Sequence, residues 1–245
     1  NAGIRLIQNT RGLTFGTDAY LLASYVRTHA SARAVDLGSG TGIIPLLLIA
    51  RGKVSQIHAV EIQECFAELT ERNVRLNGLE ERIRVLGADI TRLRPDDVGG
   101  ELDVIFSNPP YMRTDSGRRN EADEKYIARH EVHGSVADFC RAAGRLLKHG
   151  GLFYVVWRPD RLSELMEALT RHKLEPKRMT LVYPTENHVP CLVLLEAKKN
   201  GAPGIFVTKP LIIYQSGKPQ TNENYTDDMK YIYENGAFHE LYQRL

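Results

Sequence analysis

Arg33-Ala34-Val35-Asp36-Leu37-Gly38-Ser39-Gly40-Thr41-Gly42-Ile43-Ile44-Pro45-Leu46-Leu47-Leu48-Ile49-Ala50-Arg51 is the stretch that decides the fold. A short apolar run of strand length meets a glycine-rich turn, and an apolar segment of helix length follows at once. Glycines let the backbone turn sharply from strand into helix and let a ligand approach the main chain closely. Their spacing, 38, 40 and 42, places Ile43 where a GxGxxG dinucleotide fingerprint would have its third glycine. A pyrophosphate cradle is therefore not the natural reading.

Outward from this stretch, runs of strand length alternate with segments of helical period, the pattern of a doubly wound parallel sheet. Strands are expected at Arg33–Leu37, Gln56–Glu61, Ile83–Leu86, Leu102–Ser107, Gly151–Trp157, Glu175–Tyr183 and Val189–Glu196. Helices are expected at Thr41–Arg51, Gln63–Asn77, Val136–His149 and Arg161–His172, with a short one near Ile90–Asp96. A further helix, Asp18–His29, precedes the first strand and takes Asp18 or Thr17 as its N-cap. Asn77-Gly78 and His149-Gly150-Gly151 read as helix stops. Only residues 184–188 separate the last two strands, too few for a crossover helix, so these strands should form an antiparallel hairpin at one sheet edge. The expected fold class is α/β: a Rossmann-like, seven-stranded, mostly parallel sheet with a C-terminal antiparallel hairpin and helices on both faces. Residues 1–30 form a helical lead-in, 31–198 the main domain, and 199–245 a tail packed on or beside it, with a short helix around Asp227–Glu234.

With 245 residues the chain suits one large domain. Its longest apolar run, Ile43–Ala50, is far below the roughly 20 residues of a membrane span. The first residues lack the basic-then-apolar layout of a secretory leader, and the missing initiator Met points to residues ahead of Asn1. Cys65, Cys140 and Cys191 are far apart and odd in number, which supports neither a disulfide framework nor a zinc site and fits a reducing cytoplasm. The formal net charge of +2 does not mark a nucleic-acid binder, since phosphate contact needs local positive charge. The Ala197–Thr221 stretch holds Lys198, Lys199, Lys209 and Lys218 and no acid; it reads equally as a solvated surface or an RNA-contacting one.

Three acids fall at successive strand ends: Asp36, Glu61 and Asp89. In an open parallel sheet these ends face one crevice at the carboxyl edge. S-adenosyl-L-methionine carries an ammonium, a sulfonium and a ribose diol, so carboxylates suit it where a pyrophosphate would be repelled. The run Asp36 to Gly42, with Glu61 and Asp89, resembles the cofactor signature of the Rossmann-like methyltransferases. That resemblance implies Asp36 with Gly38, Gly40 and Gly42 near the amino-acid part, Glu61 on the ribose hydroxyls and Asp89 on the adenine amino group; Ile62 and Ile90 follow two of these acids in the cofactor set, to which Asn108 also belongs. No metal is called for.

The fourth strand delivers Asn108-Pro109-Pro110-Tyr111 to the same edge. An amino group conjugated to a ring, or an amide nitrogen, is a poor nucleophile because its lone pair is delocalised. Two acceptors on its two N–H bonds can pull it toward sp³ geometry for in-line attack on a sulfonium methyl. The Asn108 side-chain oxygen can be one acceptor and the Pro109 carbonyl the other. Tandem prolines make a stiff segment with carbonyls and no N–H donors. Tyr111 can stack on a flat base or amide, worth about 1–3 kcal/mol. The motif resembles that of amino-group methyltransferases acting on adenine, on guanine N2 or on glutamine, and does not choose among them.

Phe15-Gly16-Thr17-Asp18-Ala19, Ala128-Arg129-His130-Glu131, Leu146-Leu147-Lys148-His149-Gly150-Gly151, and Pro210 to Tyr214 with Tyr225-Thr226 together resemble the bacterial tRNA1(Val) adenine-N6 methyltransferases. That resemblance implies tRNA as partner and the purine beside the anticodon, position 37, as target. RNA is also favoured because no helical domain fits ahead of Arg33 and the loop after Tyr111 is too small for a DNA-recognition domain. An anticodon-loop base is easily extruded, so little recognition surface is needed. The alternatives are guanine N2 in ribosomal RNA, a protein glutamine, or a noncatalytic RNA-binding protein of the same fold. Expected substrate contacts are Phe15, Arg113, Arg118, Arg119, Arg129 and His130, with Lys125 beside them. The same loop holds Asp115, Glu121, Asp123, Glu124 and Glu131, so a solvated mixed-charge loop carries equal weight.

Overall fold

The computed structural model describes residues 3–8, 16–27, 29–110 and 134–243. Among them the parallel core follows the sequence closely. β1 (Arg33–Leu37), β2 (Gln56–Glu61), β3 (Ile83–Gly87), β4 (Leu102–Ser107) and β5 (Leu147–Trp157) run parallel in the order β3-β2-β1-β4-β5. β1 sits at the centre, so its residues are buried on both sides and read as a near-continuous apolar run. β6 (Leu174–Tyr183) and β7 (Leu192–Lys199) form the expected antiparallel hairpin, with β7 inserted between β5 and β6. The sheet does not stop at seven strands. β8 (Phe206–Val207) and β9 (Leu211–Ile212), from the tail, pair in parallel with the outer edge of β6. A strand edge with unpaired backbone groups is thereby covered.

Side chains alternate across the sheet and define two cores. Ala34 of β1, with Val104, Phe106 and Val156, packs under α1 (Thr17–Tyr25) and α2 (Ile43–Ala50). Val74 of α3 (Glu64–Leu76) and Met229 and Ile232 of α6 (Asp227–Asn235) join the same core. Val35, Leu37, Ile105 and Val155 face α4 (Val136–Leu146) and α5 (Leu162–Arg171) on the other side. α2 is apolar all round because it lies wholly inside. Its Pro45 falls in the first turn, where a backbone N–H would have no helical acceptor.

Several expectations about helix ends are corrected, among them the end of α1, which stops at Tyr25 and not His29. α4 stops at Leu146, not His149, and Gly150 lies within β5 with φ +78 beside an irregularity in β4–β5 pairing. Glycine serves a helix cap or a strand bulge equally well, and here the sheet takes the residues. α1 begins at Thr17 with Gly16 as N-cap and no side-chain cap, so neither Asp18 nor Thr17 caps it. Gly78, with φ +63, does end α3 as expected.

α1 is anchored at its C-terminal end by buried cations. Lys53 Nζ donates to the carbonyls of Ala23, Ser24 and Val26 at 2.9, 2.8 and 2.6 Å. Arg178 donates to the Tyr25 carbonyl at 2.7 Å and pairs at 2.9 Å with Glu196, which Arg27 also meets. On α3, Asn73 is fully buried: its amide donates to the carbonyls of Ile7 and Thr41 and accepts from Ile7 N–H. This one side chain joins the N-terminal segment to the glycine turn. Asn73→Ala strands those buried backbone groups and is expected to lower unfolding free energy by about 1–3 kcal/mol. Urea denaturation measures it, and a loss below about 0.5 kcal/mol, the range of neutral surface changes, would contradict this role.

Candidate active site

Parallel pairing aligns the carboxyl ends of β1, β2, β3 and β4, and the residues following them meet along one edge. The turn after β1 has Gly38, Gly40 and Gly42 at φ +75, +55 and +78. The three have different reasons to be glycine. A Cβ at Gly42 would lie 2.7 Å from Thr70 Cγ2, so close packing on α3 excludes it. A Cβ at Gly40 would meet nothing within 4 Å, which is the open side a ligand can approach. At Gly38 a Cβ would touch the ring of Phe139 on α4.

Glu61 holds this turn in place. Its Oε2 accepts the Gly40 N–H at 2.9 Å and its Oε1 accepts the Gln63 N–H at 3.0 Å. Each carboxylate oxygen has a second lone pair, so ribose hydroxyls can still be accommodated. From behind, Thr70 donates to the Gly40 carbonyl at 2.7 Å. Asp89 is arranged by its own turn, accepting Thr91 N–H and Oγ1–H, both at 2.8 Å. Ile62 is 38% exposed on the rim. Ile90 instead lies in the second core, and Arg145 of α4 pins its carbonyl at 2.8 Å.

Asp36 is fully buried, and neither carboxylate oxygen has a partner among the described residues; nor does Ser39 Oγ. Buried polar atoms are ordinarily satisfied, so such a cluster at a glycine turn has room for donors from a ligand. The ammonium of S-adenosyl-L-methionine supplies three, and the residues present therefore fit that cofactor. Burial, and secondarily the nearby Glu61 carboxylate, push the Asp36 carboxyl well above the usual carboxylate range.

β4 ends at Ser107, whose hydroxyl donates to the Leu37 carbonyl at 2.7 Å and ties the two strand ends together. Asn108 is half-buried, Pro109 buried and Pro110 exposed. The Asn108 amide nitrogen donates to Asp18 Oδ2 at 2.9 Å. Tyr111, Phe15, Arg113, Arg118, Arg119, Lys125, Arg129 and His130 lie outside the described residues. Of the lysine-bearing tail, Lys198 and Lys199 end β7 at the edge opposite Asn108, and Lys209 pairs with Asp228. Among the described residues no His, Cys, Asp and Glu cluster suits a metal ion, and no helix is long and apolar enough to cross a membrane. Sequence reasoning missed Thr70, Asn73, Ser107 and Phe139, which position the turn and the strand end through contacts that no local spacing announces.

Residues 11–173 match the family model described as methyltransferase small domain. The chain belongs to this family. Membership brings methyl transfer as the reaction and S-adenosyl-L-methionine as the donor. The chain is 32% identical to a tRNA1(Val) (adenine(37)-N6)-methyltransferase of Phocaeicola vulgatus, over 75% of this chain and 76% of that protein. A protein of the same name from Dyadobacter fermentans is 27% identical over 89% of both chains. The crystal structure of a predicted O-methyltransferase from Agrobacterium tumefaciens superposes with a TM-score of 0.71 at 25% identity, covering 91% of this chain and 98% of that one. A methyltransferase from Pyrococcus furiosus, 19% identical with a TM-score of 0.58 over 81% and 90% of the two chains, shares the fold.

Because folding raises the Asp36 pKa, the native cofactor-free chain keeps a proton that the unfolded chain releases. The associated stability is fully present below the ordinary carboxylate range, about pH 4, and is lost as pH rises through the native value. Asp36→Asn should flatten this slope in urea melts of the cofactor-free protein. An identical slope in both proteins would contradict the assignment.

Proposed function

We propose that this chain methylates the N6 amino group of an adenine in tRNA, at position 37 beside the anticodon, with Asn108 and Pro109 as the groups that prepare the nitrogen. The observation that carries the reading is the placement of Asn108-Pro109 at the end of β4, one strand from the glycine turn and on the same edge. The names of the family relatives supply adenine 37 and tRNA.

The chemistry follows from acceptors. The Asn108 oxygen and the Pro109 carbonyl accept the two N6 hydrogens and draw the nitrogen out of conjugation, so that its lone pair points along one line. The cofactor supplies an electrophilic methyl on sulfur. As the N–C bond forms and the S–C bond breaks, the two acceptors stabilise the charge growing on nitrogen, and its proton leaves to solvent afterward. Asp36 and the glycine turn anchor the amino-acid end, Glu61 the ribose, and Asp89 with the backbone of Ile90 the adenine end, with Ile62 on the rim. A tRNA substrate places the reaction in the cytoplasm. Oxygen acceptors, as in the name of the Agrobacterium structure, are less well served here, because a hydroxyl offers one hydrogen to a pocket built for two.

The test uses S-adenosyl-L-methionine with an isotopically marked methyl, unmodified tRNA transcripts and mass spectrometry of the digested nucleosides. N6-methyladenosine is expected; N2-methylguanosine, or label found only in protein, would overturn the reading. Asn108→Ala should bind cofactor within about threefold of wild type yet lose about 100-fold or more in turnover. Unchanged turnover would remove Asn108 from the chemistry.

A further inference from the structure

Asp18 has the composition-level look of a helix cap and does not act as one. Gly16 takes the N-cap position of α1 with extended backbone. Among the described residues the Asp18 Oδ1 accepts the Ala19 N–H at 2.8 Å and its Oδ2 accepts the Asn108 Nδ2–H at 2.9 Å, across 90 residues of chain. A Cβ at Gly16 would come within 2.6 Å of Asp18 Oδ1, so a larger residue there would push the carboxylate off this position. The far end of α1 is fixed by Lys53 and Arg178. The bridge is thus carried by a helix with little freedom to shift.

We propose that Asp18 is a positioning residue that sets which end of the Asn108 amide meets the substrate; this rests on the reading of Asn108 as an acceptor for the target amino group. The two ends of a primary amide are nearly equal in size, so shape alone does not choose between them. Charge does. A carboxylate only accepts, so it holds the NH2 end, and an inverted amide would set two acceptors against each other. With the NH2 end on Asp18, the oxygen faces away from the carboxylate, toward the reacting nitrogen. Inversion would instead aim an N–H donor at that nitrogen, where it would bind the lone pair needed for attack. The hydrogen bond to a charged partner also polarises the amide and strengthens its oxygen as an acceptor.

The test is a double-variant cycle in the full chain, with S-adenosyl-L-methionine and the tRNA that wild type methylates. Asp18→Ala should lower kcat by about 30- to 100-fold while both KM values stay within about threefold, and the melting temperature should stay near wild type. Asp18→Asn, of equal size, should fall between, because a neutral amide still accepts but no longer excludes inversion; it carries the test if the alanine variant folds poorly. In an Asn108→Ala background, Asp18→Ala should cause no further loss. An unchanged kcat, a loss confined to KM, or an equal fold-loss in the Asn108→Ala background would overturn the proposal. A wild-type product methylated at another amino nitrogen would overturn the adenine reading instead, and the cycle would then be read on that substrate.

Discussion

The hydrogen bond from Gly40 N–H to Glu61 Oε2 is the contact on which the arrangement of the site depends. It joins the turn after the central strand to the end of its neighbour. The turn is then closed from behind by Thr70 and Asn73 of α3. Without these links three glycines in left-handed conformations would form a mobile loop; with them the loop is a rigid floor with one open side, at Gly40. Parallel pairing does the rest, because it brings every strand end to the level of this floor. The Ser107 hydroxyl on the Leu37 carbonyl sets β4 at the same level, and so places Asn108 beside it.

The carboxylates along this edge are not equivalent. Glu61 is saturated by backbone donors on one side and keeps lone pairs on the other. Asp89 is oriented by Thr91 in a partly exposed turn. Asp36 is buried without a donor among the described residues, a costly state. Asp18 accepts from the amide of Asn108. A cationic donor and an amino-nitrogen acceptor thus meet acids graded by burial, which suits a reaction that moves positive charge from sulfur to nitrogen.

How legible this was in the sequence varies with the range of the forces involved. β1, β2 and β4 match expectation residue for residue because each is an apolar run cut off by glycine or polar residues. The convergence of Asp36, Glu61 and Asn108 followed from parallel pairing alone. β8 and β9 went unread because two-residue strands beside Pro203 and Pro210 have no period to detect; the open edge of β6 creates them. Residues Leu147–His149 continue the helical pattern of α4 locally, yet pairing of Leu147 with Leu102 draws them into β5. Asp18 was legible as a cap and within the Phe15–Ala19 resemblance, but not as an acceptor for Asn108, which lies 90 residues away. The burial of Ile90 is likewise a tertiary outcome, decided by α4 packing over the 90–93 turn.

Whether Asn108 and Pro109 jointly accept the hydrogens of the target amino group is tested most directly by a crystal structure with sinefungin, a non-reactive cofactor analogue, and a tRNA anticodon stem-loop. The target N6 is expected within about 3.2 Å of both the Asn108 Oδ1 and the Pro109 carbonyl oxygen, with the Asn108 nitrogen still on Asp18. An adenine bound with its N6 on neither oxygen, or an Asn108 amide turned to present its nitrogen, would contradict it.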